Sequence, residues 1–200
     1  MSRKKQYNEE EVLDKAMRTF WKNGFDTTSL RYLEQELGIN QFSIYSSFKN
    51  KKTLFIRSIR KYRQYLEEIL LFDLFREGAN LGDLERFLKN YINNSQDSAR
   101  LGCLVVNAST TAAMDDPEIA EEIRLHYAIL RSMLKKIVKQ SVAEGQISES
   151  VDIEKTSSYL LGIMQGLAIA LRALPQDQLN DFISIAFENI INRNDIPDEK

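Results

Sequence analysis

The 200-residue chain holds one cysteine and one histidine. A lone cysteine excludes an internal disulfide framework and a multi-cysteine metal site. A lone histidine excludes any catalytic or metal site that needs two. No nucleophile–base pair and no phosphate-cradling glycine loop is visible either. The expectation is a protein with no catalytic residue, no metal and no cofactor. With 3 prolines and 8 glycines, little interrupts long helices and a turn-rich β-sandwich is disfavoured. No apolar run reaches the roughly 18 residues of a membrane span. Met1 to Lys5 is basic and leads into acidic residues rather than an apolar leader, so no secretory signal is read and a cytoplasmic location is expected.

What the sequence does have is an uneven charge. The net is −2, which taken alone argues against nucleic acid. Residues 1–62, however, carry 13 Lys and Arg against 7 Asp and Glu, and the remainder carries 14 against 22. A basic first third joined to an acidic body is the asymmetry of a nucleic-acid reader with a separate second function.

Periodicity predicts about nine helices. Val12, Leu13, Ala16, Met17, Phe20 and Trp21 share one face of a helix over Glu9–Asn23, which Gly24 stops. Asp26, Thr27 and Thr28 offer caps for a second helix carrying Leu30, Leu33 and Leu37, ended by Gly38. Asn40 caps a third. Two short helices joined by Gly38, Ile39 and Asn40 form the helix-turn-helix pattern. Asn50 then caps a long helix to about Phe75. Helices follow at about Asp83–Asn94, Arg100–Met114, Glu118–Val142 (opened by Asp115-Asp116-Pro117), Ile153–Leu174 and Gln176–Asn192.

Ala16-x3-Phe20-x3-Gly24-Phe25-x2-Thr28-Ser29-Leu30, leading into Leu37-Gly38-Ile39-Asn40-x4-Tyr45-x2-Phe48-x2-Lys51-x2-Leu54, resembles the DNA-binding domain of the tetracycline-repressor (TetR) family of bacterial transcription regulators. The resemblance covers about 45 residues. It implies an all-α protein: a three-helix helix-turn-helix domain over residues 1–50, then a larger effector-binding and dimerisation domain over residues 51–200. Two positions depart from the family pattern. Asn40 stands where Ser or Thr is usual, though it caps equally well. Ser47 stands where His is frequent.

The residues support the same site. Ile44 and Phe48 would face a small core, leaving Gln41, Phe42, Ser43 and Ser46 exposed. Gln pairs bidentately with adenine, and a ring can touch a thymine methyl. Phe42 has packing against a neighbouring helix as its alternative. Thr28 and Ser29, at a helix N-terminus, suit a phosphate oxygen or act as simple caps. Asn40 caps the recognition helix within the same face. Tyr45 matches the family's phosphate-contacting tyrosine, or is a rim residue. Lys49, Lys51 and Lys52 crowd a helix N-terminus against its macrodipole, a conflict that a phosphate partner would resolve; Lys51 is the family-matched position. A basic arm, Ser2 to Lys5, could follow the DNA.

For the body, the resemblance implies an unidentified small-molecule effector. Asn107, Thr110, Thr111 and Met114, read as one helical stripe, and Tyr91 and Tyr127 are pocket candidates, with helix packing as the alternative. The segment from Leu101 to Asn107, with Cys103 at its centre, has a form seen in one branch of the family, some of whose members sense electrophiles or oxidants through a cysteine. Cys103 near a helix N-terminus would have a lowered pKa; inert core is the alternative. His126 reads as a surface or satisfied helix residue. Leu160, Ile163, Leu167 and Leu171 on one helix and Phe182, Ile185, Ala186 and Asn189 on the next form a candidate homodimer interface. Together these readings describe a repressor, released by its effector, that binds a pseudo-palindromic operator on double-stranded DNA as a dimer. The rival is an effector-independent nucleoid-associated or scaffold DNA-binding protein.

Overall fold

The computed structural model describes residues 7–94 and 101–192. The basic arm Ser2–Lys5 and the polar tail from Asn194 lie outside the described residues. Among the described residues every regular element is helical: α1 (Glu9–Asn23), α2 (Leu30–Leu37), α3 (Gln41–Phe48), α4 (Lys51–Tyr65), α5 (Phe72–Phe75), α6 (Leu81–Asn94), α7 (Leu104–Ser109), α8 (Pro117–Ala143), α9 (Ile153–Ala170) and α10 (Gln176–Asn192). No helix among them is long and apolar enough to cross a membrane.

The chain divides into two compact units, one of Met1–Glu68 with Cys103–His126, the other of Ile69–Gly102 with Tyr127–Lys200. These units cut the chain differently from a simple division at residue 50. α4 stays with the first helices, and the 27-residue α8 contributes to both units.

In the first unit α1, α2, α3 and α4 each begin on a local cap. Asn8, Ser29, Asn40 and Asn50 each accept a backbone N–H from the first turn of the helix that follows, which satisfies donors the helix itself cannot pair. α1 packs along α4, with Phe20 edge-on to Phe55 at 5.0 Å and Trp21 edge-on to Tyr62 at 4.9 Å between centroids. Leu33, Leu37, Ile44, Phe48 and Leu54 close the same core, each with 2% or less of its surface exposed. Burying each such side chain stabilises by roughly 1.5–3 kcal/mol before chain entropy is counted.

The start of α8 is held to α4 by charge. Lys52 reaches Asp116 at 3.3 Å and Glu118 at 2.5 Å, so its cation is already partnered inside the chain and needs no phosphate. Glu122 takes Arg63 at 3.0 Å and also Arg60. Burial works against ionisation there, yet the two guanidinium groups hold Glu122 below the usual carboxylate range.

His126 is not on the surface. Only 1% of it is exposed, against the Tyr62 ring. Burial first, and Arg63 second, pull its pKa from 6.5 to about 4. The unfolded chain therefore takes up this proton before the folded chain does. The contribution is fully present above about pH 6.5 and is lost as pH falls toward 4, by roughly 3 kcal/mol in all. Urea midpoints at pH 7 and pH 4.5 should show the fall, and His126→Leu should flatten it. A wild-type midpoint that stays level over this range would contradict a buried neutral imidazole.

The second unit packs α6 and α9 on α10. Ser141 Oγ accepts the backbone N–H of Leu81 at 2.8 Å. Glu154 on α9 holds Arg131 at 2.7 Å and Lys135 at 2.6 Å, both on α8.

Three sequence expectations need correcting. The helix from Lys51 does not run to Phe75: it ends at Tyr65, passes through one π-helical turn over Leu66–Leu70, and resumes as the short α5. The helix expected over Arg100–Met114 is only Leu104–Ser109, followed by a 3₁₀ turn over Ala112–Asp115. Ser109, Thr110 and Thr111 each turn their hydroxyl onto a carbonyl three residues back, and Thr111 then caps the 3₁₀ turn. Side chains that bond the backbone in this way compete with helix continuation. The helix expected to reach Leu174 ends at Ala170, ahead of Pro175.

Candidate nucleic-acid interface

α2 and α3 are joined by Gly38, Ile39 and Asn40. Gly38 takes φ 69°, ψ 23°, a left-handed conformation that ends α2 with its N–H on the Glu34 carbonyl. Asn40 accepts from the Ser43 N–H at 2.8 Å and starts α3. α3 is then anchored by Ile44 and Phe48, 0% and 1% exposed.

The opposite side of α3 faces solvent. Gln41, Phe42, Tyr45, Ser46 and Lys49 are all exposed. Phe42 is 82% exposed, so it is not packed against a neighbouring helix in the free chain. Gln41 lies 3.4 Å from a Glu34 carboxylate oxygen. Ser43 is half-buried rather than exposed.

The residues around α3 sort differently from their sequence reading. Ser29 caps α2, its oxygen accepting the Tyr32 N–H at 3.1 Å, and it stays exposed. Thr28 is corrected: its residue is 0% exposed and its hydroxyl donates to the Gly24 carbonyl at 2.5 Å, so that hydroxyl is not at the surface. Lys51 lies with its ammonium 4.4 Å from the Phe25 ring centroid. Burial pushes its pKa below the ordinary lysine value, with Asp26 opposing. A ring face stabilises a cation there, which answers part of the conflict with the α4 dipole.

Lys49 is the one non-glycine among the described residues with positive φ (φ 65°, ψ −52°). The Asn50 N–H reaches back to the Phe48 carbonyl at 2.8 Å. That is a γ-turn of the rare, strained kind, and it places a cation at the exposed end of α3. Lys49→Gly should relieve this strain and stabilise the fold by about 1 kcal/mol. The same change should weaken binding to all duplexes alike and reduce the salt slope by about 1. Urea unfolding together with a salt titration of DNA binding reads both; a loss of stability would refute the strain assignment.

Two contacts escaped the sequence reading. The Tyr7 hydroxyl lies 2.7 Å from Ser47 Oγ and donates to the Ser43 carbonyl at 3.2 Å. The Arg57 guanidinium lies 4.8 Å from the Phe48 ring centroid and reaches the Ser47 carbonyl at 3.5 Å. No local pattern links positions that far apart in sequence.

The effector candidates are not gathered within either unit. Cys103, Asn107, Thr110, Thr111 and Met114 belong to the first unit, Tyr91 and Tyr127 to the second. Thr110 and Thr111 are exposed and lie beyond the end of α7, so the four-residue helical stripe does not exist. Tyr91 stacks on Phe87 at 5.9 Å and lines an open cleft of about 400 Å³ with Arg76, Asp83 and Arg86. Cys103 is the N-cap residue of α7. Burial raises its thiol pKa, outweighing hydrogen bonds from Val106, Tyr62 and Val105, the reverse of the lowered pKa expected.

Of the candidate interface residues, Leu160, Ile163, Leu167, Leu171 and Ala186 are buried within one chain. Phe182, Ile185 and Asn189 are exposed. Tyr159, Gly162, Ile163, Phe182, Ile185 and Ala186 line a shallow apolar groove.

A capped, core-anchored helix that follows a three-residue turn and shows its other side to solvent defines a helix-turn-helix DNA-binding regulator. Residues 12–57 match the tetR family of bacterial regulatory proteins, and residues 81–186 match the tetracyclin repressor-like C-terminal domain. The chain belongs to the TetR family of transcriptional regulators. It is 29% identical over 174 residues to the HTH-type transcriptional repressor ComR of Escherichia coli (strain K12), covering 85% of this chain and 82% of that protein. It is 24% identical over 189 residues to the HTH-type transcriptional regulator YezE of Bacillus subtilis (strain 168), covering 93% and 97%. Among solved structures, the TetR family regulator CifR in complex with a 26-base-pair operator DNA matches with a TM-score of 0.82 at 19% identity, over 94% of this chain and 98% of that one. That likeness concerns the fold.

Proposed function

We propose that this regulator is a cytoplasmic, ligand-responsive repressor that grips a pseudo-palindromic operator as a homodimer. The observation that carries this reading is the solvent-facing side of α3, where Gln41, Phe42, Tyr45 and Ser46, with Lys49 just past the helix end, stand exposed on a helix whose other side is core. Gln41 and Phe42 read base edges, and Tyr45, Ser46 and Lys49 hold the backbone, with Ser29 and Asn40 at the adjoining helix starts. Ser43 supports the face from its edge, and Lys51 reinforces the positive field. The repressor name of the ComR relative supports the sign of regulation.

Two chains associate through the exposed side of α9 and α10. Tyr159, Phe182 and Ile185 are 43%, 40% and 59% exposed there, and a second copy would cover them. Dimerisation sets two α3 helices in successive major grooves about 34 Å apart. A small molecule in the body releases DNA by binding one conformation better than the other. α4 carries the change, because the chain leaves the first unit just beyond it.

The test is selection of duplexes from a random library by the purified chain at fixed salt. Expected is a palindrome with half-sites about 10 base pairs apart, bound by two chains. Binding without sequence preference would overturn the operator reading in favour of an architectural DNA-binding protein.

A further inference from the structure

We propose that Tyr7 is a positioning residue that sets the roll of α3 about its own axis, and so selects which side chains meet the bases. This rests on α3 being the reading helix. α3 has eight residues, too few to be stable or fixed in orientation without tertiary contacts. Its two apolar anchors, Ile44 and Phe48, are four residues apart and therefore lie nearly in line along the helix. Two pins in one line fix a helix against translation far better than against rotation. A roll of one residue position, about 100°, would exchange the presented set of side chains, and much smaller rolls would misalign it.

Contacts off that line are needed: on one flank there is the exposed approach of Gln41 to Glu34 at 3.4 Å, and on the other a set of half-buried contacts. Ser43 and Ser47 lie beside the Ile44–Phe48 line, on the side away from Gln41 and Tyr45, by helical spacing. The Tyr7 hydroxyl spans both, at 2.7 Å from Ser47 Oγ and 3.2 Å from the Ser43 carbonyl. The positions are 40 and 36 residues apart in sequence, so the bridge is tertiary. Tyr7 is itself fixed, because the next residue, Asn8, caps α1, and α1 is embedded in the core through Phe20 and Trp21. The bridge thus refers the rotation of α3 to the body of the unit. Arg57, on the Phe48 ring and the Ser47 carbonyl, bears on the same flank from α4. Ser47, which departs from the family's frequent histidine, supplies the small hydroxyl that Tyr7 meets.

The experiment uses the full chain with Tyr7→Phe, Ser47→Ala and the double variant. Each is titrated with the selected operator and with a scrambled duplex at one salt concentration, and each is checked by thermal melting. Tyr7→Phe keeps the ring and removes only the bridging oxygen. Expected is a roughly tenfold loss on the operator with less than about twofold change on the scrambled duplex, and no further loss when Ser47→Ala is added. A selection repeated with Tyr7→Phe should return a degenerate half-site. Equal losses on both duplexes would mean that the Tyr7 hydroxyl serves DNA holding in general rather than base reading, and the proposal fails. Unchanged operator affinity, or strictly additive losses in the double variant, also overturns it. Should Tyr7→Phe not fold, Ser47→Ala alone carries the same comparison. A wild-type chain that selects no operator defeats the proposed function and this inference together, whereas a selective wild type matched by Tyr7→Phe defeats this inference only.

Discussion

Gly102→Ala is expected to destabilise the chain by about 3 kcal/mol or more, the largest stability effect of any small substitution considered. Gly102 has φ +66°, and a Cβ built there would stand 2.5 Å from the Ala168 carbonyl oxygen on α9, with the Ala168 carbonyl carbon at 3.5 Å and Arg172 Cδ at 3.4 Å. Two costs combine. The left-handed backbone costs an L-residue about 1–2 kcal/mol. The contact is with backbone in a helix, which cannot swing aside as a flexible side chain would. Gly145 provides the control in the same unit, with φ +71° and nothing within 4 Å of the added Cβ. Gly145→Ala should therefore lose only the backbone term, about 1–2 kcal/mol. Urea unfolding of the two variants separates the terms. Equal losses would mean that the approach of this segment to α9 is not tight.

That glycine shows how legibility fails. In the segment from Leu101 to Asn107 the residue type that signals chemistry is the thiol of Cys103. What the fold requires there is the missing side chain of Gly102, a demand set by a carbonyl 66 residues away in α9 and invisible to any local pattern. Desolvation of the Cys103 thiol likewise reverses the direction expected from a helix N-terminus alone.

The first three helices were legible because their signals are local. Gly24, Gly38 and Asn40 stop or start helices through their own backbone freedom or their own side-chain oxygen. Apolar spacing put Ile44 and Phe48 in the core, where both are found. The long segment after Asn50 was harder. Its apolar period continues through Leu66, Ile69 and Phe72, yet Ile69 and Phe72 are 68% and 61% exposed. A π-helical turn shifts the phase by one residue and turns that pattern outward, and composition carries no mark of it. A helix apolar on many sides reads as buried twice; within one chain Leu160, Ile163, Leu167 and Leu171 are already buried, while Tyr159, Phe182 and Ile185 stay exposed, a division that apolar spacing alone does not carry.

Phe42→Ala is expected to cut operator affinity by about 10- to 100-fold, corresponding to the 1–3 kcal/mol of a lost base contact. The fold should be indifferent to the change. At 82% exposure the ring contributes almost no buried area, so removing it should move unfolding by less than about 0.5 kcal/mol. A phenylalanine in water on an otherwise polar helix face gains nothing for the free chain, and the apolar surface a thymine methyl offers is what would cover it. Loss of that contact relaxes one base position and leaves the salt slope untouched, because the ring carries no charge. Lys49→Gly should behave oppositely, lowering the slope and all affinities together without altering the preferred sequence. The pair therefore separates base reading from backbone holding on one helix. Binding by Phe42→Ala with the wild-type sequence preference intact would remove the ring from the reading set and leave Gln41 as the base-contacting side chain at the start of α3.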